Sequence, residues 1–278
     1  MRHTGIGRIL GGAPAFLLIV VLCLISSLPI LFIVSVSFSA AGELYAGNLL
    51  PSGLTLENYR ALFSETDFLL WVKNSLAVGV STGLLAVLIA SLCSYAMARR
   101  RFFGSELLAS GLLIIQLFGG VMSLVAIYKI LQFLKILDTH AALVLVYLGG
   151  AVPFVTWMLK GYYDTTSPSL EEAAILDGAG PFAVYFFIVL PTSVPMLLVA
   201  FSLAFIAAYS DFLLAAVVLT DERLYTLALG LRTFLEGDFS TNWSVFSAAA
   251  LLGSLPIIGV FLVVMVVGKT VGNLPKGS

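Results

Sequence analysis

Along this chain the polar residues do not alternate with the apolar ones; they collect at the ends of long, nearly uncharged apolar blocks. Six such blocks fall at about 13–38, 72–97, 107–127, 141–160, 191–219 and 246–268. Each is close to the roughly 20 residues that a helix needs to cross a hydrocarbon layer. Solid blocks predict spanning helices, whereas a barrel would show period-two alternation. The third block is the least uniform, with Gln116 and the pair Gly119-Gly120 inside it. The first block follows Arg2 and Arg8 but far exceeds the about 7–15 apolar residues of a secretory signal, so it reads as an uncleaved spanning helix. The predicted class is an all-α integral membrane protein with six transmembrane helices, 1–278 forming one domain.

Composition strengthens this picture. Only 10% of residues are charged and 60% are hydrophobic, with a mean hydropathy of +1.08, against roughly 25% charged residues in soluble domains. A net charge of −1 leaves no basic face for nucleic acid. The densest cationic cluster, Arg99-Arg100-Arg101, closes the second block and assigns that end to the cytoplasm. With six spans, both termini are then inside, as is the segment 161–190, while 39–71 and 220–245 are outside. Cys23 and Cys93 lie in apolar blocks at no metal-ligand spacing and read as small core residues. Gly79 and Gly83 form a GxxxG that reads as a close helix contact.

The segment Ser169–Pro191, SLEEAAILDGAGPFAVYFFIVLP, is different in kind, because it places Glu171, Glu172 and Asp177 between two apolar blocks. Ser169 followed three residues later by Glu172 has the spacing of a capping box, with Pro168 just ahead of it. Acids in the first turn suit the positive end of the helix dipole. Gly178 is placed to end this helix in a left-handed conformation. Pro181 can start a second helix at its first position, with Phe182, Tyr185, Phe186 and Ile188 as its apolar stripe. Pro191 marks the start of the fifth span. From the residues alone two readings stand. One is an ordinary interfacial hairpin; the other is a docking knob whose small alanines beside carboxylates let another protein approach closely.

Glu172-Ala173-Ala174, Gly178, then Ile188 and Leu190-Pro191 resembles the EAA loop of ABC importer permeases, and Asp177-Gly178-Ala179 resembles its fuller form in carbohydrate importers. The segments GLTLENYRALF (53–63), NSLAV (74–78), SYAMARRRFFG (94–104), AFIAAYSDF (204–212), YTLALGL (225–231) and VGNLPKGS (271–278) extend the likeness over nearly the whole chain. Together with SLVAIYKI (123–130) and KGYYDTTSPSLEEAAILDGA (160–179), they are similar to the smaller permease subunit of maltose/maltodextrin importers. The resemblance implies a type I ABC importer permease fold in a bacterial or archaeal cytoplasmic membrane. Its partners would be a second, unlike permease, an ATPase homodimer and an extracytoplasmic sugar-binding protein. Glu171, Glu172, Ala173, Ala174, Asp177, Gly178, Ile188 and Pro191 would form the ATPase-coupling surface. ATP and Mg would sit on the ATPase subunits, no cofactor on this chain. Maltose, maltodextrins or a trehalose-like sugar would be carried, with another sugar or polyol as the alternative.

Three further groups of residues remain. Asp211, inside the fifth block, would cost about 2.5–3.5 kcal/mol at a bilayer centre. With Tyr209, and with Gln116 in the third block, it is a candidate for the substrate path or for a satisfied structural contact. In 233–246, Gly237, Asp238, Asn242 and Trp243 read as a solvated loop, or, by the resemblance, as a contact with the binding protein. Gly268-Lys269-Thr270 is not a phosphate loop, since Val263 stands where its first glycine is required. His3 and His140 lie in no metal motif, and neither HExxH nor GxSxG occurs, so the chain is expected to be non-catalytic. The tail 272–278 is expected to touch the ATPase pair by resemblance. A self-contained carrier or channel is the rival class, although such proton-coupled carriers usually show several buried acids.

Overall fold

The computed structural model describes residues 6–40, 53–99, 104, 107–108, 111, 114, 123–235 and 242–272. All regular structure among them is helical: α1 (Ile6–Ser37), α2 (Glu57–Glu65), α3 (Phe68–Arg99), α4 (Leu124–Phe133), α5 (His140–Thr165), α6 (Ser169–Leu176), α7 (Pro181–Thr192), α8 (Val194–Ser210), α9 (Leu213–Val218), α10 (Leu227–Arg232) and α11 (Trp243–Gly272). Among the described residues, four stretches are long and apolar enough to cross a membrane, namely Phe16–Ser37, Phe68–Arg99, His140–Thr165 and Trp243–Gly268. A fifth is possible if α7 and α8 count as one span bent by 76°. Most of the predicted third block lies outside the described residues.

The block 191–219 departs from its expected form. Its helix, α8, stops at Ser210, Asp211 is extended, and a separate short helix α9 follows. The Asp211 carboxylate explains the break. Its Oδ1 accepts the Leu214 amide at 2.9 Å, satisfying one of the free donors in the first turn of a new helix instead of continuing the old one. Hydropathy over that block cannot register such a contact.

Two compact units divide the chain, one comprising 1–66 and 231–253, the other 67–230 and 254–278. In the first, the end of α1 is tied to α2. Asn58 donates to the Ser37 and Ser39 carbonyls at 2.9 and 2.8 Å, and the Tyr59 ring packs 5.3 Å from that of Phe38.

The second unit is organised around α3. Towards its C-terminal end, Ala86 and Ala90 pack with Val155, Leu159 and Tyr163 of α5, Val184, Tyr185 and Val189 of α7, and Ala200 and Ala204 of α8. Towards its start, Val78 packs with Leu143 and Tyr147 of α5, Ala208 of α8, Val218 of α9 and Leu229 of α10. Gly79 and Gly83 are where α8 comes closest. A Cβ on either would meet the rings of Phe205 at 3.0 Å and Phe201 at 2.7 Å. The GxxxG is thus a seat for two stacked rings, and Tyr209 extends the stack at 5.4 Å from Phe205. Cys23 and Cys93 correct the sequence reading, since both are exposed on helix surfaces. An apolar block in lipid has an apolar outer face, so position in a block does not imply burial.

Candidate functional site

Helix α6 spans only eight residues, Ser169–Leu176. Its start is not the predicted capping box, because the N-cap position falls on Pro168, which has no side-chain cap, and Ser169 is the first helical residue. Ser167 takes that place two residues earlier, its hydroxyl accepting the Ser169 amide at 3.3 Å. With Ser169 drawn into the helix, its side chain can no longer stand ahead of the first turn.

The end of α6 follows the sequence closely. Gly178 has φ +90°, the Ala179 amide donates to Ala174 at 2.9 Å, and the Gly178 amide donates to Ile175 at 3.0 Å. This pair of bonds is the Schellman closure that a glycine at this position permits. Gly180 is extended, and Pro181 opens α7 at its first position.

The two neighbouring acids part company. Glu171 is 7% exposed and turns inward, while Glu172, Ala173, Asp177 and Gly178 face outward. The Glu171 carboxylate accepts Arg99 Nε at 2.9 and 3.1 Å, Arg99 Nη2 at 2.8 Å and Tyr95 Oη at 2.9 Å. The same guanidinium donates through Nη1 to the Tyr163 carbonyl at 2.7 Å and through Nη2 to that of Thr166 at 3.2 Å. Those carbonyls lie at the C-terminal end of α5, Tyr163 in its last turn and Thr166 as its C-cap, where helix carbonyls run out of intrahelical donors. Ala174 is half-buried against the core, so α6 leans on the unit by one small side chain and one carboxylate. Its outer face is apolar between the acids, with Leu170 63% and Leu176 88% exposed. A recess of about 1330 Å³ beside it is lined by Tyr95, Arg99, Lys160, Asp164, Glu172 and Phe182, among others.

Helix α7 loosens into a π turn over Tyr185–Val189. The expected apolar stripe is split: Phe182 is 76% and Phe186 46% exposed, whereas Val184, Tyr185 and Val189 are buried and Ile188 half-buried. Tyr185 donates its hydroxyl to Ser91 of α3 at 2.8 Å. Pro191 is exposed, and the 76° bend follows at Ser193. Pro191 and Pro195 flank that bend, and neither can supply the amide that a continuous helix requires there.

The other candidates are dispersed. Asp211 is half-buried, and its Oδ1 also accepts Tyr147 Oη at 3.0 Å. Tyr209 is 3% exposed in the aromatic stack. Asn242 caps α11, its Oδ1 accepting the Val245 amide at 3.2 Å, and Trp243 packs edge-on against Phe246. Gln116, Gly237 and Asp238 lie outside the described residues.

Sequence reasoning overlooked a clasp at the opposite end of α3. Asn74 donates to the carbonyls of Arg223 and Tyr225, both at 3.0 Å, and the Ser75 hydroxyl accepts the Leu227 amide at 2.7 Å. Asp138 accepts the Thr220 and Asp221 amides at 2.8 and 3.1 Å, and His140 Nε2 lies 2.9 Å from the Leu224 carbonyl. Its traces in the sequence were the segments NSLAV and YTLALGL, noted for likeness rather than for the amide of Asn74. Arg99 and Tyr95 were equally visible, four residues apart on one helix face.

Comparison with known proteins bears on the whole chain. The family described as "Binding-protein-dependent transport system inner membrane component" matches residues 16–272. The maltose/maltodextrin transport system permease protein MalG of Yersinia pestis is 36% identical over 277 residues, covering 91% of this chain and 90% of that protein. MalG of Escherichia coli K12 is 37% identical over 268 residues, covering 88% and 90%. Among solved structures, a bacterial ABC transporter involved in the import of the acidic polysaccharide alginate superposes with a TM-score of 0.78. That match covers 95% of this chain and 98% of the other at 23% identity, which speaks to the fold alone.

Proposed function

The chain belongs to the family of binding-protein-dependent transport system inner membrane components, and from that premise we propose that it is a permease subunit of an ATP-driven importer for maltose, maltodextrins or a related oligosaccharide. The identity of 36–38% to MalG over about nine-tenths of the chain carries the sugar class. In this reading six spans of a type I importer permease place both termini and α6 on the cytoplasmic side of a bacterial or archaeal membrane. A second, unlike permease completes the pathway, and a sugar-binding protein docks outside. The chain is non-catalytic, with ATP and Mg held by two ATPase subunits.

The outward face of α6 and its turn, namely Glu172, Ala173, Ala174, Asp177 and Gly178, with Ile188 and Pro191 beyond, would receive the ATPase. Closure of the ATPase pair on ATP would draw this elbow and rock the spans between inward- and outward-open states, a rigid-body form of alternating access. Glu171 supports the elbow from behind. Asp211 and Tyr209, already engaged with Tyr147 and Phe205, serve the packing of α8 and α9 in the state described here. Asp238, Asn242 and Trp243 are the residues to vary for docking of the binding protein.

The observation that carries the coupling role is an eight-residue helix with exposed leucines and acids, closed by a left-handed glycine and rooted in the unit by its inner face. The test is to assemble the importer with Glu172→Lys or Gly178→Trp. Membrane insertion is expected to persist, because the loop lies outside the lipid, while sugar-stimulated ATP hydrolysis is lost. Full stimulation in either variant would remove the assignment. A cysteine placed at Ala173 should be labelled only from the cytoplasmic face; labelling from outside would overturn the topology. The sugar itself is identified by finding which one raises the melting temperature of the copurifying binding protein.

A further inference from the structure

We infer that Arg99 and Glu171 form a rigid joint that carries displacement of α6 into α3 and α5, so that both are positioning residues of the transport cycle. This rests on the reading above that α6 faces the ATPase. Glu171 is the only buried residue of α6, a helix too short to hold its shape without tertiary support. Leu170, Ile175 and Leu176, which would be the obvious apolar contacts, are exposed. The helix is therefore fixed chiefly through a carboxylate, where a helix of this size would ordinarily lay an apolar stripe on its neighbours.

Stability alone does not account for that choice, since apolar residues of equal volume hold a buried site as well as an ion pair does. What an apolar seat does not supply is direction. Nonpolar contacts tolerate sliding, whereas a guanidinium fork on a carboxylate fixes both distance and angle. Here the fork receives Glu171 on one side and places its remaining donors on the Tyr163 and Thr166 carbonyls at the C-terminal end of α5 on the other. Tyr95 binds the second carboxylate oxygen at 2.9 Å from one turn earlier on α3. Three helices meet in one planar group, and a push on α6 must turn α3 and α5 or break the pair.

The experiment uses the complete importer in proteoliposomes, with maltose as the probe, and measures assembly, maltose uptake and ATP hydrolysis together. Glu171→Gln removes the charge. The double variant Arg99→Met, Glu171→Leu leaves no uncompensated charge and fills the site with apolar groups, so it keeps the fold testable. Both are expected to assemble with the ATPase while maltose taken up per ATP hydrolysed falls roughly tenfold, a loss typical of a broken coupling between two sites. A merely structural pair would leave that ratio unchanged, and an unchanged ratio in the assembled double variant overturns the joint while leaving the docking role of α6 intact. Failure of both variants to assemble also overturns it, because the pair would then be a requirement of folding. If the wild-type importer shows no maltose-driven hydrolysis, maltose as the cargo fails first, and the ratio is read with the sugar that raises the binding protein's melting temperature. Full stimulation by that sugar in Glu172→Lys is what removes the reading of α6 as the ATPase-facing helix.

Discussion

Replacing Gly178 by alanine perturbs the turn between α6 and α7 and little else. The glycine is exposed, and a Cβ at this position would meet nothing within 4 Å. The cost is thus confined to the backbone at φ +90°. Left-handed conformation costs an ordinary residue about 1–2 kcal/mol, and the stiffer unfolded chain returns about 0.4–1 kcal/mol. The net loss is about 1 kcal/mol, or roughly fivefold in the local opening equilibrium at a tenfold change per 1.4 kcal/mol. Gly180, two residues on, supplies the control. It has φ −72° and an equally open surrounding, so alanine there should be neutral or slightly stabilising. Hydrogen exchange at position 178 and at Ala179, whose amides close the turn, reads the effect directly. Gly178→Ala should speed exchange at these two amides about fivefold, and Gly178→Asn should do so less, because asparagine tolerates this region. Equal behaviour of the 178 and 180 variants would refute the claim that backbone conformation fixes the turn.

Three other outcomes follow from contacts in the second unit. Asn74→Leu strands the Arg223 and Tyr225 carbonyls and should cost about 1–3 kcal/mol, seen as a lower thermal midpoint of the purified protein. Gly230→Ala drives a methyl into the Trp71 indole and should destabilise by about 1–3 kcal/mol, with Trp71→Phe partly relieving the clash. The Thr220 amide, then that of Asp221, holds the Asp138 carboxyl below its ordinary value of 3.8. Its stabilising contribution is therefore present above that ordinary value and lost as pH falls through the lower folded one. Asp138→Ala should remove that part of the acid dependence of the melting temperature, and an unchanged profile would exclude the group.

Four of the six expected spans were legible because mean hydropathy over twenty residues depends on the solvent around the helix rather than on its neighbours. The Gly178–Pro181 turn was legible for a similar reason, since its glycine and proline dictate φ locally. Where nearby groups compete, the pattern misled. Ser167 displaced Ser169 as the polar partner of the first turn, and Asp211 ended a helix that hydropathy continued to Leu219. The π turn at Tyr185–Val189 changed the number of residues per turn, so a stripe drawn at period 3.6 does not carry through it, and Phe186 is exposed beside the buried Tyr185 and Val189. The Arg99–Glu171 pair spans 72 positions, and no periodicity links residues that far apart. Arg99 was noticed for its charge at a membrane boundary, which is also why its inward partner went unsought.

The placement of polar contacts along α3 bears on how such a helix can move. Asn74 and Arg99 are 25 residues apart, about 38 Å at 1.5 Å per residue. At each end a directional donor holds backbone carbonyls of another segment: Asn74 those of Arg223 and Tyr225, Arg99 those of Tyr163 and Thr166. Between them α8 sets Phe201 and Phe205 on Gly83 and Gly79, stacked rings on a smooth backbone. Rings can slide over glycine at small cost, whereas a two-carbonyl grip must either move with its partner or break. A displacement at the Arg99 end would therefore pass along α3 as a rigid motion, slip at the aromatic seat, and arrive at the Asn74 clasp as a pull on the segment 220–230. Weakening the middle by Phe205→Leu should thus lower stability while leaving the two ends coupled, whereas weakening either grip should uncouple them as well as lower stability.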